Sequence, residues 1–327
     1  MNEMSKVSVI IVTAGKGDYL WPCLDSVKRQ TCPALEIIVI SNSVNQDFTQ
    51  QARTNYPEVN LFSSPKNLFY CQALNQGIEI SRGDFILCLN DDVILDKNFI
   101  TEAIKGFSQD PRVGMVSGKI LRRDGETIDS TGLFLSYWRT AKERGYGCRD
   151  RGQFEGGGYI FGVNGAAAFY RKVMLDQIKE GQEYFDSDYH IFYEDLDIAW
   201  RAQNFGWKGY YIPKAIAYHI RGGTVRQGKG MDKRYARHFL SDDLHFDLFK
   251  NRYLTIIKNE TFLGFLLHLP FIVTYDIFVW SYLLIFKFSV VKIILSKRIP
   301  ISPTFRKRTL LKKLISHKHR QTKTNAV

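Results

Sequence analysis

Runs of consecutive apolar residues alternate with segments of helical periodicity along the first third of the chain. The run VSVIIV, residues 7 to 12, has the β-branched composition of a strand that is buried on both faces in a parallel sheet. YLWPCLDSVKRQ then places its apolar residues at helical spacing, and LEIIVISNS is a second strand that ends in polar residues. This order of strand, loop, helix and strand predicts a doubly wound, mostly parallel α/β sheet.

A third unit of the same kind ends in two adjacent carboxylates. NLFYCQALNQGIEIS predicts a loop and a helix, Gly83 interrupts it, and the strand DFILCLNDD runs into Asn90, Asp91 and Asp92. Ligands of such sheets bind at the carboxyl ends of the strands. Because adjacent carboxylates repel each other unless a cation lies between them, the pair is a candidate site for a divalent cation that bridges to phosphates. The alternative is a solvated turn in which an aspartate caps a helix.

A second acidic cluster lies in FYEDLDIAWRAQNFG. The apolar spacing predicts a helix that begins near Glu194 or Asp195 and ends at Gly206. The helix dipole favours ionised carboxylates in the first turn, and an ionised, oriented carboxylate is what a general base needs. Ordinary capping of the helix explains the same residues equally well.

The C-terminal third contains a long apolar segment, residues 261 to 295. Polar residues and a proline interrupt it, so it has no continuous run of about 20 apolar residues, as a spanning helix requires. We therefore expect helices that lie in the membrane interface. Packing on the rest of the chain, dimer formation, and tilted or re-entrant insertion are the alternatives. The interrupting residues are His268, Pro270, Asp276, Lys287 and Lys292.

The formal net charge of +12 comes from the tail. Residues 277 to 327 contain 12 Lys or Arg and no Asp or Glu, so the rest of the chain is balanced. A basic tail after an aromatic, apolar segment indicates a membrane surface as partner. A protein that binds nucleic acid or another anionic polymer is the rival interpretation, but no known nucleic-acid module is present, and we expect no nucleic-acid partner.

The cysteines and the N-terminus bear on location. The five cysteines are odd in number and none are spaced C-x-x-C, so they are predicted to be reduced packing residues of a cytoplasmic protein. The apolar run near the N-terminus is too short for a signal peptide. These features predict a cytoplasmic protein that is peripherally associated with the inner face of the cell membrane.

Four stretches, taken together and in order, resemble the family 2 glycosyltransferases, which are nucleotide-sugar enzymes of the GT-A fold. The resemblance is greatest to the bacterial branch that includes rhamnosyltransferases, and it covers roughly residues 6 to 224. It implies a GT-A domain, which we assign to residues 1–240, and the apolar and basic segments predict a helical membrane-associating region in residues 241–327. The stretches are VSVIIVTAGKGDYLWPCLDSVKRQT, NLFYCQALNQGIEISRGDFILCLNDDV, VNGAAAFYRKVML and FYEDLDIAWRAQNFGWKGYYIPKAIAYH.

The resemblance also implies roles for individual residues. Asp92 and His219 would hold a divalent metal, Mg²⁺ or Mn²⁺, and Asp195 would be the catalytic base with Glu194 beside it. The nucleotide-sugar donor would contact Thr13, Ala14, Gly15, Ser41, Asn42, Ser43, Asn67, Asn75, Asp84, Asn90, Asp91 and Gly165.

The chain departs from the family pattern where the nucleotide base is read. Ser41, Asn42 and Ser43 stand where many members carry an aspartate, which leaves the base and the sugar of the donor open. Asn75 and Asp84 could equally be a capping residue and a turn residue.

The activity that the resemblance implies is an inverting transfer of a sugar. The donor would be a nucleoside diphosphate sugar, dTDP-rhamnose or a UDP-sugar, and the acceptor a saccharide, which the apolar and basic C-terminal segments predict to be lipid-linked. The alternatives are a catalytically inactive glycosyltransferase-like binding protein and a nucleotidyltransferase of similar α/β form.

Overall fold

A computed structural model describes residues 6–15, 17–43, 45–220 and 236–324. The strands are β1 (Val7–Thr13), β2 (Glu36–Ser41), β3 (Asn60–Ser63), β4 (Phe85–Asn90), β5 (Val93–Leu95), β6 (Val113–Arg122), β7 (Ile128–Ser130), β8 (Leu133–Leu135), β9 (Ala141–Glu143), β10 (Gly158–Ile160), β11 (Ala167–Arg171) and β12 (Lys208–His219). The helices are α1 (Gly17–Lys28), α2 (Gln46–Asn55), α3 (Phe69–Glu79), α4 (Phe99–Phe107), α5 (Lys172–Ile178), α6 (Glu194–Asn204), α7 (Asp242–Asn259), α8 (Phe262–Phe286), α9 (Phe288–Ser296) and α10 (Ile301–Thr324). Two short 3₁₀ helices cover Ser187–Tyr189 and Ala236–Phe239.

One large sheet forms the centre of the described chain. Its strand order is β10-β12-β6-β11-β4-β1-β2-β3, with β5 beside β12 and β7 beside β6. The strands β1 to β4 run parallel, β12 runs parallel to β6, and β11 is inserted antiparallel between β4 and β6. The predicted mostly parallel α/β sheet is confirmed, and the antiparallel strand joins its two parallel parts.

The core lies on both faces of this sheet. Every residue of β1 is buried, and the two-residue period of a strand sends alternate side chains to opposite layers. Ile10 packs in the layer that contains Leu74 of α3, whereas Ile11 packs in the layer that contains Leu24 of α1 and Phe99 of α4. The β-branched run therefore supplies apolar side chains to both layers at once.

Buried ion pairs connect α6 to the C-terminal helices α7 and α10. Nζ of Lys258 on α7 lies 2.9 Å from a carboxylate oxygen of Asp197 on α6. Lys307 on α10 pairs with Asp186, which precedes α6. The buried ion cluster consists of Glu180, Asp186, Asp197, Arg201, Lys258 and Lys307. The division at residue 240 stays a prediction, but α7 and α10 are part of the support of α6.

The apolar segment after α7 forms two helices, α8 and α9, which meet at Lys287, and α8 runs without a break past His268, Pro270 and Asp276. Among the described residues, α8 is the one helix whose length and composition would allow it to cross a membrane. The polar residues in its sequence had led us to expect no such helix. His268 contacts Arg139 at the tip of the β8–β9 hairpin, and Asp276 pairs with Arg252 of α7. The polar side chains are thus satisfied by the rest of the protein, and the helix continues past them.

Candidate active site

The carboxyl ends of several strands meet at one edge of the sheet. β1 and β2 end side by side, with Thr13 opposite Ser41, and Asn90 at the end of β4 lies opposite Val12. β12 ends at His219 and runs in the same direction, because β4 and β6 are both antiparallel to β11 and β12 is parallel to β6. Several residues that the sequence predicts for nucleotide and metal therefore converge on this edge.

The two carboxylates after β4 face different neighbours. Asp91 accepts a hydrogen bond of 2.7 Å from the hydroxyl of Thr13. Asp92 Oδ1 lies 3.2 Å from Nε2 of His219. Both carboxylates are buried, so a hydroxyl on one side and an imidazole on the other offset their mutual repulsion.

His219 lies between two carboxylates. Its Nδ1 is 2.9 Å from Oδ2 of Asp129, a fully buried residue of β7, and its Nε2 faces Asp92. Burial alone would lower the pKa of His219, but the hydrogen bonds to Asp129 and Asp92 raise it to about 9. The ring orientation is therefore determined from both sides.

Asp92 and His219 fit a divalent cation. Two ligands at right angles on an octahedral cation, with bonds of about 2.1 Å, lie about 3 Å apart. This is close to the 3.2 Å between Asp92 Oδ1 and His219 Nε2. Within the described ranges, no group of three or more His, Cys, Asp or Glu side chains could hold a metal ion. A cation at this pair would therefore complete its coordination with water, and with phosphate oxygens when a donor is bound.

A tyrosine hydroxyl connects the end of β4 to the loop before β11. The hydroxyl of Tyr70 donates to Asn90 Oδ1 at 2.8 Å and lies 3.3 Å from the carbonyl oxygen of Gly165. The backbone N–H of Asn90 donates to the carbonyl oxygen of Ala166 at 2.9 Å. Gly165 is thereby held next to the acidic edge of the sheet.

The first turn of α6 faces the same glycine. Asp195 Oδ2 accepts a hydrogen bond of 3.3 Å from the N–H of Gly165. Oε2 of Glu194 is buried and has no hydrogen-bond partner among the described residues. A methyl group at Gly165 would lie 3.4 Å from Glu194 Oε1, so the absence of a side chain leaves space in front of both carboxylates.

The environment raises the pKa of both carboxyl groups. Loss of hydration raises the pKa of Asp195, although the N–H groups of Leu196 and Gly165 act in the opposite direction. For Glu194, loss of hydration and the charge of Asp195 both raise the pKa. Burial therefore acts against the helix dipole, which favours the ionised form of both groups. A carboxylate whose pKa lies nearer to neutrality is better matched to proton abstraction at neutral pH.

The chain reaches α6 through a strained segment. His190, Phe192 and Tyr193 have φ values of 48°, 70° and 69°, in the left-handed region that non-glycine residues avoid. The side-chain amide of Asn251 on α7 donates to three carbonyl oxygens of this segment, each at 2.8 Å. These oxygens belong to Tyr189, Ile191 and Phe192. Asn251 therefore holds the conformation that presents Glu194 and Asp195.

The ends of β1 and β2 pack closely against each other. Gly15 has φ of 76°, and a Cβ there would lie 2.4 Å from Cβ of Ser43, so only glycine fits. The N–H of Gly15 donates to the hydroxyl of Thr13 at 3.2 Å, and Ser41 donates to the carbonyl oxygen of Ser43 at 3.3 Å. Ala14, which lies between Thr13 and Gly15, is exposed. The structure brings these predicted nucleotide contacts together.

Asn42 and Asn67 orient the loop that enters α3. Asn42 Oδ1 accepts from the N–H of Leu68 at 3.0 Å, and Asn67 Oδ1 accepts from the N–H of Phe69 at 2.8 Å. The ring of Phe69 is half exposed and stacks on His190 at a centroid distance of 4.2 Å. The two asparagines thus connect the end of β2 to the segment that leads into α6.

The structure does not bring Asn75 and Asp84 to the carboxyl ends of the strands, where the other predicted nucleotide contacts lie. The amide of Asn75 is occupied by the backbone of Tyr184 and Phe185, with hydrogen bonds of 2.7 to 3.0 Å. Asp84 is exposed and precedes β4, at the end of the strand opposite to Asn90. Roles for these two residues in nucleotide binding stay predictions, as do the roles of the other predicted site residues.

Three residues of the site were not predicted. Asp129 and Asn251 are distant in sequence from the residues they contact, and Tyr70 lies inside a segment whose apolar spacing indicates only a helix. The sequence around Asp129, TIDST, contains a single apolar residue, Ile128, so it gives no signal that this carboxylate is buried.

The mostly parallel α/β sheet, with Asp91 and Asp92 at its carboxyl edge, agrees with the fold of the GT-A glycosyltransferases. The fold agrees with two solved structures. One is "Crystal structure of GalNAc-T7 with UDP, GalNAc and Mn2+", with a TM-score of 0.58 and 14% identity over 79% of this chain and 48% of that one. The other is "Mannosyltransferase PcManGT from Pyrobaculum calidifontis in complex with GDP-Man and Mn2+", with a TM-score of 0.54 and 13% identity over 97% and 87%. At these identities the likeness concerns the fold alone.

The family follows from the sequence match. The model described as Glycosyl transferase family 2 matches residues 8–179, more than half of the chain, and the chain belongs to that family. It is 24% identical to poly-beta-1,6-N-acetyl-D-glucosamine synthase of Staphylococcus aureus (strain MSSA476) over 228 residues, which are 69% of this chain and 52% of the relative. The match to the synthase of Staphylococcus epidermidis (strain RP62A) is 23% over 226 residues. The chain spans about half the length of the curated relatives it matches.

Proposed function

We propose that the protein transfers a sugar from a nucleoside diphosphate donor to a hydroxyl group of a saccharide acceptor, with inversion at the anomeric carbon. The observation that carries the proposal is the short connection between the two halves of the site. Gly165 donates to Asp195 on one side and accepts from Tyr70 on the other, and Tyr70 also contacts Asn90, two residues before Asp92. The proposed base and the proposed cation-binding pair therefore lie on either side of one small residue.

Asp195 is the proposed base. It accepts the proton of the acceptor hydroxyl while that oxygen attacks the anomeric carbon, and its raised pKa suits this transfer near neutral pH. Glu194 lies beside it, and its raised pKa, about 8, keeps it mostly protonated and uncharged near neutral pH. The N–H of Gly165 holds the Asp195 carboxylate in place.

Asp92 and His219 are the proposed protein ligands of Mg²⁺ or Mn²⁺. A cation bound there supplies positive charge that neutralises the departing diphosphate. Thr13 keeps Asp91 turned towards β1, which leaves Asp92 as the carboxylate next to His219.

The proposed donor lies over the ends of β1 and β2. The hydroxyl and amide groups there can bind a nucleoside, but they lack the carboxylate expected to read a base. These groups do not select one base, so the first donors to test are those that the family resemblance implies, dTDP-rhamnose and UDP-sugars. GDP-mannose joins them because a structure with that ligand shares the fold. The names of the relatives favour a cell-surface polysaccharide as the product.

The proposed acceptor is lipid-linked, and α8 with α10 is the proposed membrane contact. Leu263 and Leu267 of α8 are 78% and 72% exposed, and basic residues of α10 are exposed as well. Because Arg252 ties Asp276 in the middle of α8 to α7, a spanning position would carry this ion pair into the bilayer, at a high cost. An in-plane position on the cytoplasmic face avoids that cost.

Point substitutions test the membrane contact better than a deletion. Removing residues 261 to 327 would also remove Lys307 and the buried Leu311. The double substitution Leu263→Glu with Leu267→Glu should release the protein from anionic vesicles in a sedimentation assay. Val173→Glu, at an exposed apolar residue of α5, is the control and should bind as the wild type does. Unchanged sedimentation of the double variant would contradict the contact.

Release of nucleoside diphosphate from a panel of nucleotide sugars and saccharide acceptors tests the activity. The wild type should turn over one donor class with Mn²⁺ and lose this turnover with EDTA. Asp195→Asn should lower kcat by roughly 100-fold to 10,000-fold, the usual contribution of general-base catalysis. Wild-type turnover in a folded Asp195→Asn protein would refute the assignment of the base.

A further inference from the structure

We infer that Asp129 is a positioning residue that orients His219 towards the divalent cation, an inference that rests on the metal site of the proposed function. Asp129 is fully buried, and its Oδ2 lies 2.9 Å from Nδ1 of His219. The other ring nitrogen of His219 lies 3.2 Å from Asp92.

A β-bulge directs Asp129 to this position. In the pairing of β6 with β7, Ile120 lies opposite Ser130 and Leu121 lies opposite Ile128. Asp129 is the extra residue between these pairs, and β6 supplies no residue opposite it. Bulges of this kind turn a side chain away from the regular alternation of a strand. The short strand β7 therefore places a carboxylate behind the histidine at the end of β12.

Asp129 acts through the histidine and does not reach the cation side of the ring. The two nitrogens of an imidazole point in different directions, so a carboxylate that accepts from Nδ1 lies away from a ligand at Nε2. Accepting the Nδ1–H leaves the lone pair of the neutral ring on Nε2, the atom next to Asp92. Metal-binding histidines commonly have such a carboxylate on their other nitrogen, and its removal typically weakens metal binding 10-fold to 100-fold.

A purely structural ion pair would use the same contacts. In that case His219 stays protonated between Asp129 and Asp92, and removal of Asp129 changes stability without a specific effect on cation binding. The two explanations therefore differ in what Asp129→Asn does to the affinity for a metal.

The experiment measures Mn²⁺ alone binding to the purified full chain by electron paramagnetic resonance. Asp129→Asn keeps the size of the side chain and can still accept a hydrogen bond, and circular dichroism verifies its fold. Asp124→Asn is the matched control, because Asp124 lies in the turn between β6 and β7 and contacts only that turn in its hydrogen bonds to residues 126 and 127. Asp92→Asn reports on the site itself.

The wild type should bind Mn²⁺, Asp92→Asn should lose this binding, and Asp129→Asn should bind 10-fold to 100-fold more weakly. Asp124→Asn should stay within twofold of the wild type. In a His219→Gln background, Asp129→Asn should have no further effect, because Asp129 acts through His219. If Asp129→Asn does not fold, Asp129→Glu replaces it in the same comparison and should also weaken binding.

Two results would overturn the inference in distinguishable ways. If the Asp129 variant binds Mn²⁺ as tightly as the wild type, Asp129 has no role in binding, and the metal site stays intact. The same follows if the variant lowers the Mn²⁺ affinity equally in the wild-type and the His219→Gln backgrounds. Equal affinity of the wild type and Asp92→Asn removes the metal site itself, and both proposals with it.

Discussion

Replacing Lys258 by methionine tests how strongly the C-terminal helices hold the helix that carries Asp195. The Lys258 side chain is buried, and its Nζ lies 3.0, 2.6 and 2.9 Å from carboxylate oxygens of Glu180, Asp186 and Asp197. Methionine has a similar length and volume but no charge. Lys258→Met therefore removes the positive charge while it largely preserves packing.

The expected loss follows from the charges of the buried ion cluster. Its three carboxylates are balanced by three cations, so the variant leaves a net negative charge in a buried site. Removing one partner of a buried ion pair typically costs about 3 to 5 kcal/mol. This is a large part of the roughly 5 to 15 kcal/mol by which a domain is stable.

Urea unfolding at neutral pH, followed by circular dichroism, measures this loss. Lys105→Met is the control, because Lys105 pairs with Glu102 at the surface and such pairs contribute about 0.5 kcal/mol or less. Lys258→Met combined with Asp186→Asn restores the charge balance and should recover part of the stability. A single variant within about 1 kcal/mol of the wild type, or a double variant no better than the single one, would refute the reasoning.

Two further predictions concern the approach to α6. Asn251→Ala should lower the free energy of unfolding in urea by about 1 to 3 kcal/mol, because two amide hydrogens that bind three carbonyl oxygens are lost. The control Asn204→Ala loses one hydrogen bond of 3.2 Å to Asn259 and should cost less. Equal losses in the two variants would contradict the prediction. Burial raises the pKa of Glu194 above its ordinary 4.5, so the contribution of this group to stability is complete below that pH and is lost as the pH rises through the raised value. Glu194→Gln should therefore reduce the difference between the unfolding midpoints at pH 5 and pH 8, and an unchanged difference would count against the raised pKa.

Local patterns predicted the elements that carry the site. The β-branched run of β1, the helical spacing of α3 and the start of α6 at Glu194 depend on neighbouring residues, so they can be read from the sequence. The position of β11 between β4 and β6 could not be predicted, because pairing between distant strands leaves no local pattern.

The contacts that complete the site are long-range and were missed for the same reason. Asp129 and His219 are 90 positions apart, and Asp129 is the extra residue of a bulge, which the local sequence does not predict. The continuity of α8 also depends on partners elsewhere, since Arg139 and Arg252 satisfy the polar residues that interrupt its sequence. Lys307 belongs to the basic tail, whose composition indicates a membrane surface, yet it pairs with Asp186 next to α6, a long-range contact that composition does not reveal.

Thermal stabilisation by nucleoside diphosphates, with and without Mn²⁺, tests the central claim most directly. The panel contains UDP, dTDP and GDP and is repeated with Asp92→Ala. We predict that one nucleotide raises the melting temperature of the wild type only when Mn²⁺ is present, and that Asp92→Ala abolishes this shift. A shift that needs no metal and persists in Asp92→Ala, or no shift with any nucleotide, would contradict a metal-dependent nucleotide-sugar site at this edge of the sheet.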